Sequence, residues 1–245
     1  MSDINYSNRK LLLLSNSTNA GEEWLEFAEQ PIQDFLGTTV KSVLFIPYAA
    51  VTFSFDEYAA RAKEKFQSLG YKLTSLHRTD NPIDAVKNAE AIVVGGGNTF
   101  HLVDHLHKTG VIAEVRERVK AGVPYIGWSA GSNVACPTMM TTNDMPIVQP
   151  PDFATFNLIP FQINPHYLDA NPEGHRGETR AQRILEFIEV NREVFVAGLR
   201  EGTLLRLQNN HLDLVGDKSV RIFKYGIEPY EVDTNFSLDF LLGEK

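Results

Sequence analysis

The sequence predicts an α/β fold: a doubly wound, mostly parallel sheet with helices on both faces, followed by a C-terminal antiparallel extension. Three observations carry that prediction. Short apolar runs alternate with amphipathic helical stretches through the first half. Two glycine-rich segments, Gly95-Gly96-Gly97 and Gly127-Trp128-Ser129-Ala130-Gly131, sit where a strand-like run gives way to a helix-like one. The C-terminal part breaks into closely spaced strand-like runs with Asn209-Asn210 between two of them, the signature of a hairpin.

Taken in order, residues 10–14 (KLLLL) and 42–46 (SVLFI) are apolar and bounded by turn formers, as parallel strands buried on both faces should be. Between them Trp24, Phe27, Ile32 and Phe35 recur at roughly helical spacing. A helix is predicted over 59–69, ending at Gly70, then a strand over 71–76, a short helix over 82–88 and a strand over 91–94. Helices follow over 99–107 and 111–120, and a strand over 123–126 leads into the second glycine segment. Residues 139–151, rich in Thr, Asn, Asp and Pro, read as an ordered loop beside the site. A short strand at 161–163 and a helix over 177–190, with Ile184, Leu185, Phe187 and Ile188 turned inward, precede strands at 194–199, 203–208, 211–215 and 220–225. There is no repeat, low-complexity tract or linker, so residues 1–245 are expected to form a single domain.

Composition bounds the function. The chain of 245 residues carries 23 Lys+Arg against 31 Asp+Glu, a net charge of −8, without a basic run, which disfavours nucleic acid and anionic membranes as partners. No window reaches the apolar length of a membrane span, and the first residues lack the apolar stretch of a signal peptide. A lone cysteine, Cys136, cannot form an intramolecular disulfide; the expectation is a reducing, cytoplasmic compartment with Cys136 packed as a small hydrophobe on the helix after the glycine turn.

The segment VPYIGWSAGSNVAC has the pattern of strand, sharp turn and helix, with Gly127 and Gly131 flanking Ser129 at minus two and plus two. A nucleophile elbow needs small residues there because the turn brings backbone too close for side chains. Ser129 is thus the expected nucleophile, and the amide of Ala130 one expected oxyanion donor, aided by the helix N-terminus. The second donor is expected from the cluster Gly95–Thr99, which lacks the endings of nucleotide-binding glycine loops.

Seven histidines compete for the base. His101 and His105 are one helical turn apart, but H-L-V-D-H lacks the glutamate of a zinc-protease helix, so they are expected to be exposed helix residues. His77, His107 and His175 stand among charged or turn residues and are expected to be solvated. His166 follows a strand in Ile163-Asn164-Pro165-His166-Tyr167, whereas His211 lies in the hairpin. The chain order serine, acid, histidine of α/β-hydrolases would select Asp169 and His211; the order serine, histidine, acid selects His166, the better placed of the two. Glu201, in a strand-ending glycine turn, is the favoured acid, with Asp169 and Glu173 as rivals.

Six segments, GGGNTF, GWSAGSN, TTNDMPIV, INPHY, GETRAQR and GLREG, occur in an order that resembles the peptidase E family of cytoplasmic α-aspartyl dipeptidases, over a span from about Leu11 to the final strands. The resemblance implies a fold like that of class I glutamine amidotransferases, a triad at Ser129, His166 and Glu201, oxyanion donors at Gly97 and Ala130, and release of N-terminal aspartate from dipeptides without a cofactor or metal. Trp128 departs from a usually small position and is expected to alter the pocket wall. Residues 1–9 extend beyond the common pattern and are expected to be disordered. An aspartyl substrate on an acidic protein requires a dedicated cation, and Arg180, at a helix start shortly after His166, is the first choice over Arg183. Asn98 and Thr99 are further expected substrate contacts. The expected partner is a small acidic dipeptide, with a monomer or homodimer as the assembly. Alternatives are a cyanophycinase-like or isoaspartyl-directed hydrolase, and a non-catalytic sensor of aspartyl ligands on the same fold.

Overall fold

The computed structural model describes residues 6–169 and 177–243 of the chain. The main sheet has seven strands. In chain order its parallel members are β1 (Leu11–Leu14), β2 (Ser42–Ile46), β3 (Lys72–Ser75), β4 (Ile92–Val94) and β5 (Tyr125–Trp128). The spatial order is β3-β2-β4-β5-β1, continued by two antiparallel strands, β8 (Leu204–Gln208) and β9 (His211–Val215). A second sheet of four strands holds β6 (Gln162–Asn164), β7 (Val196–Gly198), β10 (Val220–Lys224) and β11 (Ile227–Val232), in the order β11-β10-β7-β6.

Alternation along the strands builds two cores. In β1, Leu11 and Leu13 enter the larger apolar cluster while Leu12 and Leu14 enter the other. Val43 and Phe45 of β2 join Leu12, and Leu44 and Ile46 join Leu11. With a period of two, an all-apolar strand is stable only when both sheet faces are covered. The covers are α1 (Glu29–Leu36) and α2 (Phe55–Ser68) on one face and α3 (Pro82–Lys87), α4 (Thr99–Thr109) and α5 (Ile112–Lys120) on the other, as their buried side chains show. The second sheet shares the larger core through Ile163, Ala197 and Ile222, and its other face is covered by α7 (Arg180–Val190) through Ile184 and Ile188.

The expected doubly wound sheet is present, and several details differ. Helix α2 starts at Phe55, four residues before the predicted start, because Ser54 and Glu57 close a capping box. In α7 Leu185 is exposed rather than inward. The C-terminal strands divide: the β8–β9 hairpin, turned by Asn209 and Asn210 at φ 56° and 63°, extends the main sheet, while β10 and β11 join the second. Of residues 1–9, expected to be disordered, 1–5 lie outside the described residues and 6–9 pack against the domain. Tyr6 is buried in the larger core, and the Arg9 guanidinium lies over its ring and donates to the Leu158 carbonyl. Among the described residues no helix is long and apolar enough to cross a membrane.

Candidate active site

Strand β5 ends at Trp128, and Ser129 takes a backbone conformation of φ 53°, ψ −113°, before the single helical turn α6 (Ala130–Asn133). A Cβ on Gly127 would stand 2.4 Å from the Gly131 carbonyl oxygen, and one on Gly131 would stand 2.1 Å from that of Val94. Both positions therefore exclude any side chain, and the elbow expected from the sequence is present. It is pinned to the neighbouring strand: the Ser129 N–H donates to the Leu14 carbonyl at 3.0 Å, and the Ser132 hydroxyl donates to the same carbonyl at 2.6 Å. Helix α6 is too short for a substantial macrodipole, so the individual N–H of Ala130 matters more than the predicted helix field. Cys136 lies beyond α6 in the following turns, fully buried, where its sulfur accepts from the Ile163 N–H and burial pushes the thiol up to about 12.

The second glycine turn approaches from β4. A Cβ on Gly96 would be 2.9 Å from the Ser129 Cβ, and Gly97 at φ 138° lies so close to Ala49 that its own Cβ would meet that carbonyl oxygen at 2.2 Å. Neither the Gly97 nor the Ala130 N–H has a hydrogen-bond acceptor among the described residues. Two free donors beside a serine hydroxyl are what an oxyanion site needs.

His166 and Glu201 come from the second sheet. Strands β6 and β7 are parallel neighbours, in register at Asn164 and Gly198, so the residues that follow leave the sheet at the same edge. His166 Nε2 is 2.9 Å from Ser129 Oγ, and His166 Nδ1 is 2.6 Å from Glu201 Oε1. A carboxylate only accepts, so the Nδ1 proton faces Glu201 and Nε2 is left to accept from the serine. His166 sits at φ 54°, and its N–H donates to Ser15 Oγ at 2.9 Å; that hydroxyl donates in turn to the Leu199 carbonyl at 2.7 Å. Ser15, at the end of β1, thus fastens the base to the main sheet. Asn16 does the same for the acid's turn by accepting from the Gly202 N–H at 2.9 Å.

The competing residues are engaged elsewhere. His211 pairs with Asp239 and Asp213, and Asp169 takes a bidentate grip from Arg200. His77 is not solvated but bonds Ser75 and Asp56, and His107 bonds the Ala154 carbonyl. His101 and His105 are half-buried against Tyr48 and Phe55 instead of exposed. Glu173 and His175 lie outside the described residues. Among the described residues no cluster of three or more His, Cys, Asp or Glu could hold a metal.

Two cavities meet at Ser129 and His166. One, of about 190 Å³, is lined also by Thr99, Thr142, Asn143, Asp144 and Arg180. Arg180, the first residue of α7, has no hydrogen bond or ion pair with another described residue. Burial lowers the pKa of its guanidinium, as does Arg183, against the opposing pull of Asp144 and Glu201. Arg183 is paired with Glu178 at 3.8 Å on the surface. Asn98 is occupied by its own surroundings: its side chain caps α4 through the His101 N–H and donates to the Met145 carbonyl. Thr99 touches the cavity but spends its N–H and hydroxyl on Asp144 Oδ2, at 2.7 and 2.6 Å. Asp144 also accepts from the Thr142 hydroxyl at 3.0 Å; it lies in the family-like segment TTNDMPIV, which by itself does not mark it as a site residue. The loop carrying it is ordered, as predicted; Asn143 holds the Pro165 carbonyl at 2.7 Å. Trp128 is fully buried and lines the second cavity, so it does form part of the pocket wall.

Known proteins similar to this chain show its family. Residues 11–215 match peptidase family S51. A peptidase E of Nostoc sp. is 50% identical over 234 residues, covering 96% of this chain and 97% of the relative. A peptidase E of Escherichia coli is 47% identical over 229 residues, covering 93% and 100%. The crystal structure of a peptidase from an acI-B1 Actinobacterium superposes with a TM-score of 0.68 at 20% identity, covering 95% of this chain and 98% of that one, a likeness of fold. A putative peptidase E protein from Listeria monocytogenes gives 0.57 at 23% identity, covering 89% and 99%. The chain belongs to peptidase family S51 and is a serine peptidase.

Proposed function

We propose that this serine peptidase is an α-aspartyl dipeptidase, hydrolysing the bond that follows an N-terminal aspartate. The observation that carries the proposal is Arg180: a half-buried guanidinium with no hydrogen bond or ion pair among the described residues, in the cavity that also holds Ser129 and His166. A planar guanidinium grips a carboxylate with two hydrogen bonds, and on a chain of net charge −8 an unpaired cation at the site favours an anionic side chain. Asp144, across the same cavity, supplies the opposite charge for the free amino group of the substrate's first residue.

In this mechanism the Ser129 oxygen attacks the carbonyl carbon of that residue while its proton passes to His166 Nε2. The oxyanion is held by the Gly97 and Ala130 amides. Glu201 keeps the imidazole oriented and stabilises its charged form. The carbon–nitrogen bond breaks as His166 delivers its proton to the leaving amine, giving an ester on Ser129. Water then gives a proton to His166 and attacks the ester, and aspartate leaves as the serine is reprotonated. No step calls on a metal or an organic cofactor. The substrate is a small acidic dipeptide, the assembly a monomer or homodimer, and the lone buried Cys136 fits a reducing cytoplasm.

A panel of dipeptides, including isoaspartyl ones, read by amine release with the Ser129→Ala protein as control, tests the proposal. Asp-Leu should lead the panel, and Ser129→Ala should lose roughly 10³-fold or more. Equal cleavage of Asn-Leu, or a preference for the isoaspartyl bond, would defeat it.

A further inference from the structure

The second cavity at the nucleophile, of about 390 Å³, shares Ser129, Asp144 and His166 with the first but not Arg180. With the aspartyl side assigned to the cavity of Arg180, this is the cavity left over for the group that leaves. Four aromatic residues line it, Trp24, Phe53, Tyr58 and Trp128, together with Ser17 and Thr18. Trp24, Tyr58 and Trp128 are packed on one another. Trp128 stacks on Phe45 at 5.9 Å, meets Trp24 edge-on at 5.5 Å, and donates from Nε1 to the Tyr58 hydroxyl at 2.9 Å. That hydroxyl donates onward to the Gly96 carbonyl at 3.0 Å. The polar atoms of Tyr58 and Trp128 are therefore used within the wall.

Arg61, from α2, is the only lysine or arginine among the described residues lining this cavity. Its guanidinium carbon stands 4.7 Å from the centre of the Trp24 ring, a cation–π arrangement that holds the group without using its five N–H donors. Among the described residues it makes no ion pair. Glu23, Glu64 and Lys65 line an adjoining cavity with it, but Lys65 is committed to Glu29 at 2.5 Å, and neither Glu23 nor Glu64 pairs with Arg61.

We propose that Arg61 binds the C-terminal carboxylate of the substrate, so that the leaving side accepts one free amino acid and the site measures peptide length as well as sequence. The proposal rests on the reading above that a dipeptide is cut at Ser129. With the first residue's carbonyl at Ser129, the carboxylate of a dipeptide lies within one residue of the bond being cut, on the side of this cavity. The aromatic walls receive the leaving side chain, and the stacked guanidinium receives the carboxylate. In a longer peptide or an amide that position carries a neutral group, and the guanidinium gains no counter-charge.

The test compares Asp-Leu with Asp-Leu amide in wild type, Arg61→Met and Arg61→Lys, with melting temperatures alongside. A charge-assisted carboxylate contact predicts that wild type favours the free acid by roughly 10–100-fold in kcat/KM, mostly through KM. In Arg61→Met, which keeps an unbranched side chain against Trp24, the ratio should fall to within about twofold, and Arg61→Lys should retain part of it. A wild type that cleaves acid and amide equally, or an Arg61→Met protein that keeps the wild-type ratio, overturns the proposal. Should Arg61→Met fail to fold, an Arg61→Lys ratio equal to that of wild type overturns it as well. If aspartyl dipeptides are not cleaved and another dipeptide is, the aspartyl reading fails, and the acid-to-amide ratio on that other dipeptide still decides the role of Arg61.

Discussion

Replacing Arg180 by Met separates the needs of recognition from those of folding. In the free protein the guanidinium is half-buried, lacks a partner among the described residues, and is further disfavoured by Arg183; Asp144 and Glu201 offset this only in part. A substrate carboxylate supplies the missing counter-charge, so the contact is made in full only in the complex. Loss of one partner of a desolvated charge pair costs about 2–3 kcal/mol, which is roughly 30–150-fold in kcat/KM for Asp-Leu. Asn-Leu, which brings no anion, should be a poor substrate from the start and lose no more than about threefold. Stability should move the other way, since a desolvated cation is replaced by an apolar chain of similar length: the melting temperature should equal or exceed that of wild type. The assay is amine release from the two dipeptides over a concentration series, with thermal melts of both proteins. An Asp-Leu over Asn-Leu preference that survives unchanged in Arg180→Met would refute the reasoning and turn the search to Arg183.

Three further outcomes are expected. His166→Ala should abolish nearly all turnover while His211→Ala leaves it within about twofold, because His211 is tied to Asp239 and Asp213 on the hairpin; peptide hydrolysis by the two variants checks this. Ser15→Ala leaves the His166 N–H and the Leu199 carbonyl without their shared partner, so kcat should drop about tenfold with KM nearly constant and the melt should weaken by ~1–2 kcal/mol. Glu231, lowered from 4.5 to about 2 chiefly by hydrogen bonds from Arg200, has a depressed folded-state value. Its contribution is therefore complete above the ordinary carboxylate range and is lost as pH falls from 4.5 toward 2. With the side chain 37% exposed, screening leaves ~1 kcal/mol, so Glu231→Gln should flatten the melting temperature over that acid range.

Most of the parallel sheet is legible in the sequence because buried parallel strands are apolar on both faces, and Leu11–Leu14 or Ile92–Val94 can hardly be read otherwise. The elbow is legible because Gly127 and Gly131 are sterically obligatory. The second sheet is not. Three of its strands can be found, but a run such as Val196–Gly198 carries no mark of which sheet it will pair with; only the tertiary register with Gln162–Asn164 decides that. Strand β11 escapes notice because Pro229 and mostly exposed positions disguise an edge strand. Asp144 is hidden for a different reason: its importance comes from three donors supplied by Thr99 and Thr142, a convergence of loop and helix that spacing does not encode. Asn98 shows the converse, since an asparagine directly before a helix has a second use as a cap, and here it caps α4.

The nucleophile rides on one sheet and its base and acid on the other, with Ser15 and Asn16 as the stitches between them. Catalysis is therefore a property of the seam. A slight sliding of one sheet against the other would leave every helix and strand intact and still pull the imidazole away from the serine. Under mild denaturant, activity should fade before the far-ultraviolet circular dichroism does, and the interval between the two transitions would measure how much of the chain's cohesion is concentrated at that join.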